Sequence, residues 1–289
     1  MKIAASPIGK RLTPGPPKML VGKVPAARTE DRSIPTRDGA AINVRVYRPV
    51  AGATRVPILY AHGGGFVVGG LASCDHICRR LAADTRAVVI SVEYRLAPEH
   101  RFPGPLHDVE DARAWLIDHA DELGVAPSSL VVAGDSAGGN LAAALSLASR
   151  DKGSPPAAQL LIYPALDLSM STPGFDSYRG VGLTVDDCRL AASLYLGDHD
   201  PRDPLASPLL AADFRGLPPT LVYTVRHDPL RPDGCLYVER CRDAGVAVRH
   251  IDIDEHAHGS LSVPRLYRSV DEVYAALRDF VAEHVPPTL

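Results

Sequence analysis

Short apolar runs, separated by longer mixed segments, recur along most of the chain. Five of them, each rich in Val, Ile and Leu, follow one another from Val56 onward: VPILYA, AVVISVEY, SLVVAGD, AQLLIYP and TLVYTV. Runs of this length and composition are typical of parallel strands that are buried on both faces. Upstream, residues 41–50 alternate apolar and polar side chains, which predicts a half-buried strand.

Helical patterns accompany these strands. Residues 106–123 begin with Asp108, Glu110 and Asp111 and stop at Gly124, as expected for a helix whose acidic side chains face its positive end. Residues 270–281 place six large side chains on one helical face: Val270, Val273, Tyr274, Leu277, Phe280 and Val281. The alternation predicts one α/β domain, residues 1–289, with a mostly parallel central sheet and helices on both faces.

Two segments depart from this alternation. The first 30 residues contain five prolines, so a long helix is not expected there: Pro7, Pro14, Pro16, Pro17 and Pro25. Residues 168–204 are polar, punctuated by Pro and Gly, and only weakly periodic. We interpret this second segment as an insertion that lies over the edge of the sheet.

Composition and charge narrow the class of protein. The chain has 289 residues, a hydrophobic content of 46% and a net charge of -3, which is ordinary for a globular protein and offers no basic surface for nucleic acid. It lacks both the ~18 uninterrupted apolar residues of a membrane span and the apolar stretch of a signal peptide. The five cysteines include no C-x-x-C pair, so we expect no metal site, no disulfide framework and a cytoplasmic location.

The sequence Gly134-Asp-Ser-Ala-Gly138 stands between an apolar run and a long Ala/Leu-rich helical pattern. G-x-S-x-G at such a junction forms a nucleophile elbow, a tight turn that exposes the serine above the sheet. The helix that follows directs its free N–H groups and its positive end at the same place. Ser136 is therefore the candidate nucleophile, although a tight strand-to-helix turn without chemistry gives the same pattern.

A serine hydroxyl needs a base, and the base needs an acid to orient it. In α/β-hydrolases these residues follow in the order Ser, Asp or Glu, His. Downstream of Ser136, Asp228 comes at the end of the apolar run TLVYTV, and His258 follows another strand-like segment. We therefore predict a triad of Ser136, His258 and Asp228.

A glycine cluster, His62-Gly-Gly-Gly65, follows the first buried strand. Its spacing fits neither the dinucleotide fingerprint nor the P-loop, so it is not a phosphate site. Glycine does allow backbone N–H groups to approach a reacting atom closely, as an oxyanion hole requires. We expect the amides of Gly64, Gly65 and Ala137 to form one.

With these motifs in place, the chain resembles the hormone-sensitive-lipase-like group of α/β-hydrolase carboxylesterases. The resemblance runs from about Ile34 to the C-terminus and rests on HGGG, YRLAPEHRFP, GDSAGG, YPALD, SPLLAADFRGLPPT, HDPLRPDG and the final HG. It implies an α/β-hydrolase fold and hydrolysis of short- to medium-chain acyl esters through an acyl-enzyme, without a metal or organic cofactor. It also implies a possible homodimer, for which residues 245–254 are the candidate edge strand.

This chain departs from the family pattern in three places. Ser260 stands where the family usually has Phe, directly after His258-Gly259. Asp233 occupies part of the usual D-P-L-x-D-E-G motif and is a rival to Asp228, as His256 is a rival to His258. The prolines predict a reduced cap, made of a shortened segment at about residues 1–30 and of residues 168–204.

Three kinds of alternative to an esterase remain open from the sequence. An enzyme with another acyl-transfer reaction, namely an amidase, an acyltransferase or a thioesterase, would use the same residues. A non-catalytic relative would use the fold only to bind a small molecule, and the filled triad argues against it. A lipase that acts at lipid surfaces would need an apolar lid, and the candidate stretch STPGFDSYRGVGLTVDDCRL, residues 171–190, is too polar to supply one.

Overall fold

A single eight-stranded sheet forms the centre of the molecule in the computed structural model, which describes residues 15–180 and 182–285. Its strands are β1 (Ala27–Pro35), β2 (Ala41–Pro49), β3 (Pro57–Ala61), β4 (Val88–Glu93), β5 (Val131–Asp135), β6 (Ala158–Ile162), β7 (Thr220–His227) and β8 (Val248–Ala257). They lie in the order β1-β2-β4-β3-β5-β6-β7-β8. The first two pairings in that order are antiparallel and the other five are parallel, which confirms the predicted sheet.

Helices cover both faces of this sheet. They are α1 (Lys18–Val21), α2 (Leu71–Thr85), α3 (Gly104–Asp118), α4 (Ala120–Leu123), α5 (Ala137–Asp151), α6 (Val185–Leu196), α7 (Arg231–Asp243) and α8 (Val270–His284). Consecutive residues of a strand point to opposite faces, and each face has its own core. Leu59 belongs to the apolar cluster that includes residues of α3, α5 and α7, whereas its neighbour Ile58 belongs to the cluster that includes residues of α2 and α8.

The two helices that the sequence indicated most clearly have different outcomes. In α8 the six residues predicted to face the core are the six that are buried, so that prediction is confirmed. The helix predicted over residues 106–123 instead begins at Gly104 and is broken after Asp118. The prediction that Asp108 lies at the helix start was also wrong, because the helix begins four residues earlier and its first turn contains no acidic residue. Asp108 is instead fully buried and accepts hydrogen bonds from Arg95.

The predicted cap segments also need correction. Residues 1–14 lie outside the described residues, and residues 15–26 contain one four-residue helix before β1 begins at Ala27. Residues 27–30 therefore belong to the sheet and not to a cap. The 168–204 segment, read as weakly periodic, contains the twelve-residue helix α6.

Candidate active site

The turn between β5 and α5 carries Ser136 in a backbone conformation that side chains rarely adopt. Its φ is 57° and its ψ is -118°, and such strain persists only where the surroundings enforce it. A Cβ atom on Gly138 would lie 2.0 Å from the carbonyl oxygen of Ala61. The turn can therefore close only with glycine at that position, which explains why the motif requires it.

Three side chains from separate parts of the chain form a hydrogen-bonded row at the carboxyl ends of the strands. His258 Nε2 lies 2.9 Å from Ser136 Oγ, and His258 Nδ1 lies 2.7 Å from Asp228 Oδ2. Asp228 follows the last residue of β7, is 2% exposed, and accepts a second bond from the Leu230 amide. All three residues that the sequence predicted are brought together, in the geometry that nucleophilic catalysis by serine requires.

The two rival residues lie elsewhere. Asp233 is buried, and its Oδ2 accepts hydrogen bonds from the amides of Leu166 and Asp167 at 3.1 and 3.0 Å. Burial raises the pKa of Asp233 to about 7. His256 hydrogen-bonds to Tyr223 and Ser269, and not to Ser136.

The glycine loop after β3 is fixed beside Ser136 by a buried carboxyl group. Asp135 accepts hydrogen bonds from the Gly63 amide at 2.9 Å and from the Tyr60 hydroxyl at 2.6 Å, and burial raises its pKa. Gly64 has φ 124°, and a Cβ there would lie 2.1 Å from the carbonyl oxygen of Val68. The loop conformation therefore depends on glycine.

The three amides predicted to form an oxyanion hole belong to this loop and to the first residue of α5. Within residues 15–180 and 182–285, no acceptor is found for the N–H groups of Gly64, Gly65 and Ala137. Gly64 and Gly65 line the same cavity as Ser136. Free donors beside a candidate nucleophile are the feature that an oxyanion requires.

Two cavities meet at Ser136. The larger, about 470 Å³, is bounded by the glycine loop, His258, Tyr163 and the middle of the 168–204 segment. The smaller, about 60 Å³, has mostly apolar walls. Those walls include Leu168, Met170, Cys188, Ala192 and Leu230. Two cavities that meet at a serine hydroxyl can hold a substrate with one group on each side of its reacting carbon atom.

Helix α6 lies over the site, and not merely over the edge of the sheet as the sequence had suggested. Its Tyr195 ring stacks on Phe66, next to the glycine loop, with centroids 3.8 Å apart. Ala191 and Leu183 belong to the walls of both cavities. The 168–204 segment therefore forms a roof whose inner face is largely apolar, with Asp187 as an acidic exception, although the composition of the segment is polar.

The sequence reasoning missed several residues of the site. Leu183, Asp187 and Ala191 were missed because the segment was read as irregular, yet Thr184 and Asp187 form a capping box that marks a helix start. Tyr163, whose ring centroid is 4.8 Å from that of His258, belongs to the YPALD motif but carried no signal of its position.

Within the described residues, no group of three or more His, Cys, Asp or Glu side chains could hold a metal ion. In the same part of the chain, no helix is both long enough and apolar enough to cross a membrane.

The chain is similar to known proteins in both sequence and fold. Residues 58–262 match a family model described as alpha/beta hydrolase fold. Carboxylesterase NlhH of Mycobacterium tuberculosis is 38% identical over 275 residues, which cover 91% of this chain and 85% of that protein. Ethyl acetate hydrolase of Pseudomonas putida is 37% identical, with 88% and 82% covered. The solved structure of a hyperthermophilic esterase from the archaeon Pyrobaculum calidifontis is 40% identical, with a TM-score of 0.85 and coverage of 92% and 88%.

Proposed function

The chain belongs to the α/β-hydrolase family, in its hormone-sensitive-lipase-like group, and we propose that it is a serine carboxylesterase for short- to medium-chain acyl esters. The observation that carries this proposal is the hydrogen-bonded row of Ser136, His258 and Asp228 beside three amides for which the described part of the chain offers no acceptor. Relatives named as esterases over most of their length support the same reaction class.

In the proposed mechanism, His258 Nε2 removes the proton from Ser136 Oγ, which attacks the acyl carbon of the ester. The Gly64, Gly65 and Ala137 amides stabilise the oxyanion that forms. The alcohol leaves with the proton held by His258, and water activated by the same imidazole then releases the acid. Asp228 holds the imidazole in the required tautomer and stabilises its charged form.

The two cavities suggest how an ester would lie. We assign the acyl group to the small cavity of about 60 Å³ and the alcohol to the larger one of about 470 Å³. Leu168 and Met170 would then limit acyl length, while bulky alcohols would be accepted. Activity that rises steadily beyond ten acyl carbons would contradict this assignment.

The test is hydrolysis of p-nitrophenyl esters from C2 to C16 by the wild type, by Ser136→Ala and by Ser154→Ala, a control serine outside the cavities. We expect a peak at short acyl chains and loss of that activity only in Ser136→Ala. Activity retained by Ser136→Ala would refute the mechanism. A folded wild type that cleaves no ester, while it binds small molecules, would favour a non-catalytic relative, and cleavage of amides or thioesters would identify another acyl-transfer reaction.

We also propose a homodimer through β8. This strand is an edge of the sheet, so its outer backbone N–H and C=O groups face no other strand in the described part of the chain. Such edges readily pair with a second chain. A monomer mass by light scattering across micromolar concentrations would refute this.

A further inference from the structure

His258 sits on a short turn whose own backbone holds it weakly. β8 ends at Ala257, Gly259 adopts φ 80°, and a 3-10 turn begins at Ser260. The His258 amide donates to the carbonyl of His227 at 3.2 Å, which is long for such a bond. The position of the imidazole therefore depends on how the residues before and after it are held.

One hydroxyl group holds both sides of this turn. Tyr223 Oη lies 2.5 Å from His256 Nδ1 and 2.9 Å from Ser260 Oγ. These partners stand two residues before and two residues after His258. All three side chains are fully buried, where hydrogen bonds are strong and a lost partner is costly.

Each hydrogen bond in this cluster can be given one donor and one acceptor without conflict. Burial lowers the pKa of His256, so its ring is neutral and one nitrogen accepts. Ser269 Oγ donates to the exposed Glu255 carboxylate at 2.9 Å and accepts from His256 Nε2 at 3.1 Å. His256 Nδ1 then accepts from the Tyr223 hydroxyl, which itself accepts from Ser260.

The same tyrosine also connects to the row of reacting side chains. Tyr223 lies on β7, the strand that ends beside Asp228. Its ring centroid is 5.7 Å from that of Tyr163, which in turn is 4.8 Å from the His258 ring. Displacement of Tyr223 would therefore reach the imidazole through the turn and through Tyr163.

We propose that Tyr223, His256 and Ser260 form a clamp that positions His258 between Ser136 and Asp228, an inference that rests on the proposed function. None of these three residues lines either cavity, so they act only through the position of His258.

The first test is Tyr223→Phe, which removes the hydroxyl and keeps the ring. We expect kcat for p-nitrophenyl butyrate to fall about 10-fold, because small misplacements of a catalytic group are costly, while KM stays within about twofold. The matched control is Tyr237→Phe, another buried tyrosine, whose hydroxyl accepts a hydrogen bond from Gln159. It should lose a similar amount of thermal stability and keep the wild-type kcat.

The second test is Ser260→Ala, alone and combined with Tyr223→Phe. Since both variants open the same clamp, the double variant should lose no more kcat than the larger single loss. Ser260→Ala also serves if Tyr223→Phe does not fold. Wild-type kcat in both variants, a change confined to KM, or the same kcat loss in Tyr237→Phe would each overturn the clamp.

The NMR resonance of the proton that His258 Nδ1 shares with Asp228 gives an independent test of the clamp. We expect it to be sharp in the wild type and in Tyr237→Phe, and shifted or broadened by exchange in Tyr223→Phe. An unchanged resonance in Tyr223→Phe would overturn the clamp. If the wild type cleaves no ester, the proposed function fails, and this resonance still decides whether the clamp holds His258.

Discussion

The two sides of the candidate site are built by different means. The glycine side, made of residues 62–65 and 134–138, is shaped mainly by backbone sterics, because a Cβ on Gly64 or Gly138 would lie about 2 Å from a carbonyl oxygen. The Asp135 carboxyl group adds one hydrogen bond from the Gly63 amide. The histidine side, made of Asp228 and residues 256–260, is fixed by side-chain hydrogen bonds that come from β7, β8 and the start of α8. The first side can be recognised from two short glycine motifs, whereas the second is assembled from single side chains that are distant in sequence.

The two sides should therefore fail differently when they are altered. A substitution on the glycine side forces the backbone to move, so activity and stability should change together. A substitution on the histidine side removes one hydrogen bond from an intact scaffold, so activity should change more than stability. Substitutions on the two sides can therefore test this difference.

Asp228→Asn should have the largest effect on the histidine side. An amide in place of the carboxylate leaves the geometry but favours the wrong imidazole tautomer, and kcat should fall by about 10⁴-fold. The melting temperature should change little. The control is Asp233→Asn, the buried rival five residues later, whose activity should stay within about 10-fold of the wild type at pH 8. The reverse order of the two kcat losses would contradict the assignment of the acid.

Gly64→Ala tests the glycine side. The added Cβ meets the Val68 carbonyl oxygen at 2.1 Å, and φ 124° is itself unfavourable for alanine. Displacement of the Gly64 and Gly65 amides should lower kcat by about 10²–10³-fold and also lower the melting temperature. Gly153→Ala is the control: its φ is also positive, at 72°, but no atom lies within 4 Å of the added Cβ. It should cost about 1 kcal/mol of stability and leave kcat unchanged.

The smallest expected effect comes from Asp233 and concerns how the free energy of unfolding depends on pH. Its pKa is raised from 3.8 to about 7, so the folded chain holds a proton there that the unfolded chain has already released above pH 4. Stability should therefore fall as pH rises from 5 to 7, by about 2 kcal/mol from this group. Urea unfolding should show that fall in the wild type and less of it in Asp233→Asn. Equal slopes in both proteins would contradict the raised pKa.

The features that the sequence predicts are those set by local pattern, and the features that it does not predict are those set by long-range contacts. The elbow, the glycine loop and α8 could be predicted because each depends on local pattern, namely glycine spacing or helical periodicity. The triad partners could be predicted from chain order. Helix α6 left one local signal, the capping box of Thr184 and Asp187, but its inner face is buried by contacts that are distant in sequence, such as Tyr195 on Phe66. The role of Ser260 left none, because its partner Tyr223 lies 37 residues upstream. Long-range contacts of this kind leave little trace in local composition.

The central claim is that Ser136 is the nucleophile of an esterase site. Reaction with diethyl p-nitrophenyl phosphate, followed by peptide mapping, tests it most directly, because the reagent stops at the phosphorylated nucleophile. We expect one diethylphosphoryl group per chain, on Ser136, with loss of ester hydrolysis in proportion to labelling and no label on Ser136→Ala. A label on another residue, or ester hydrolysis that continues after Ser136 is fully labelled, would contradict the account.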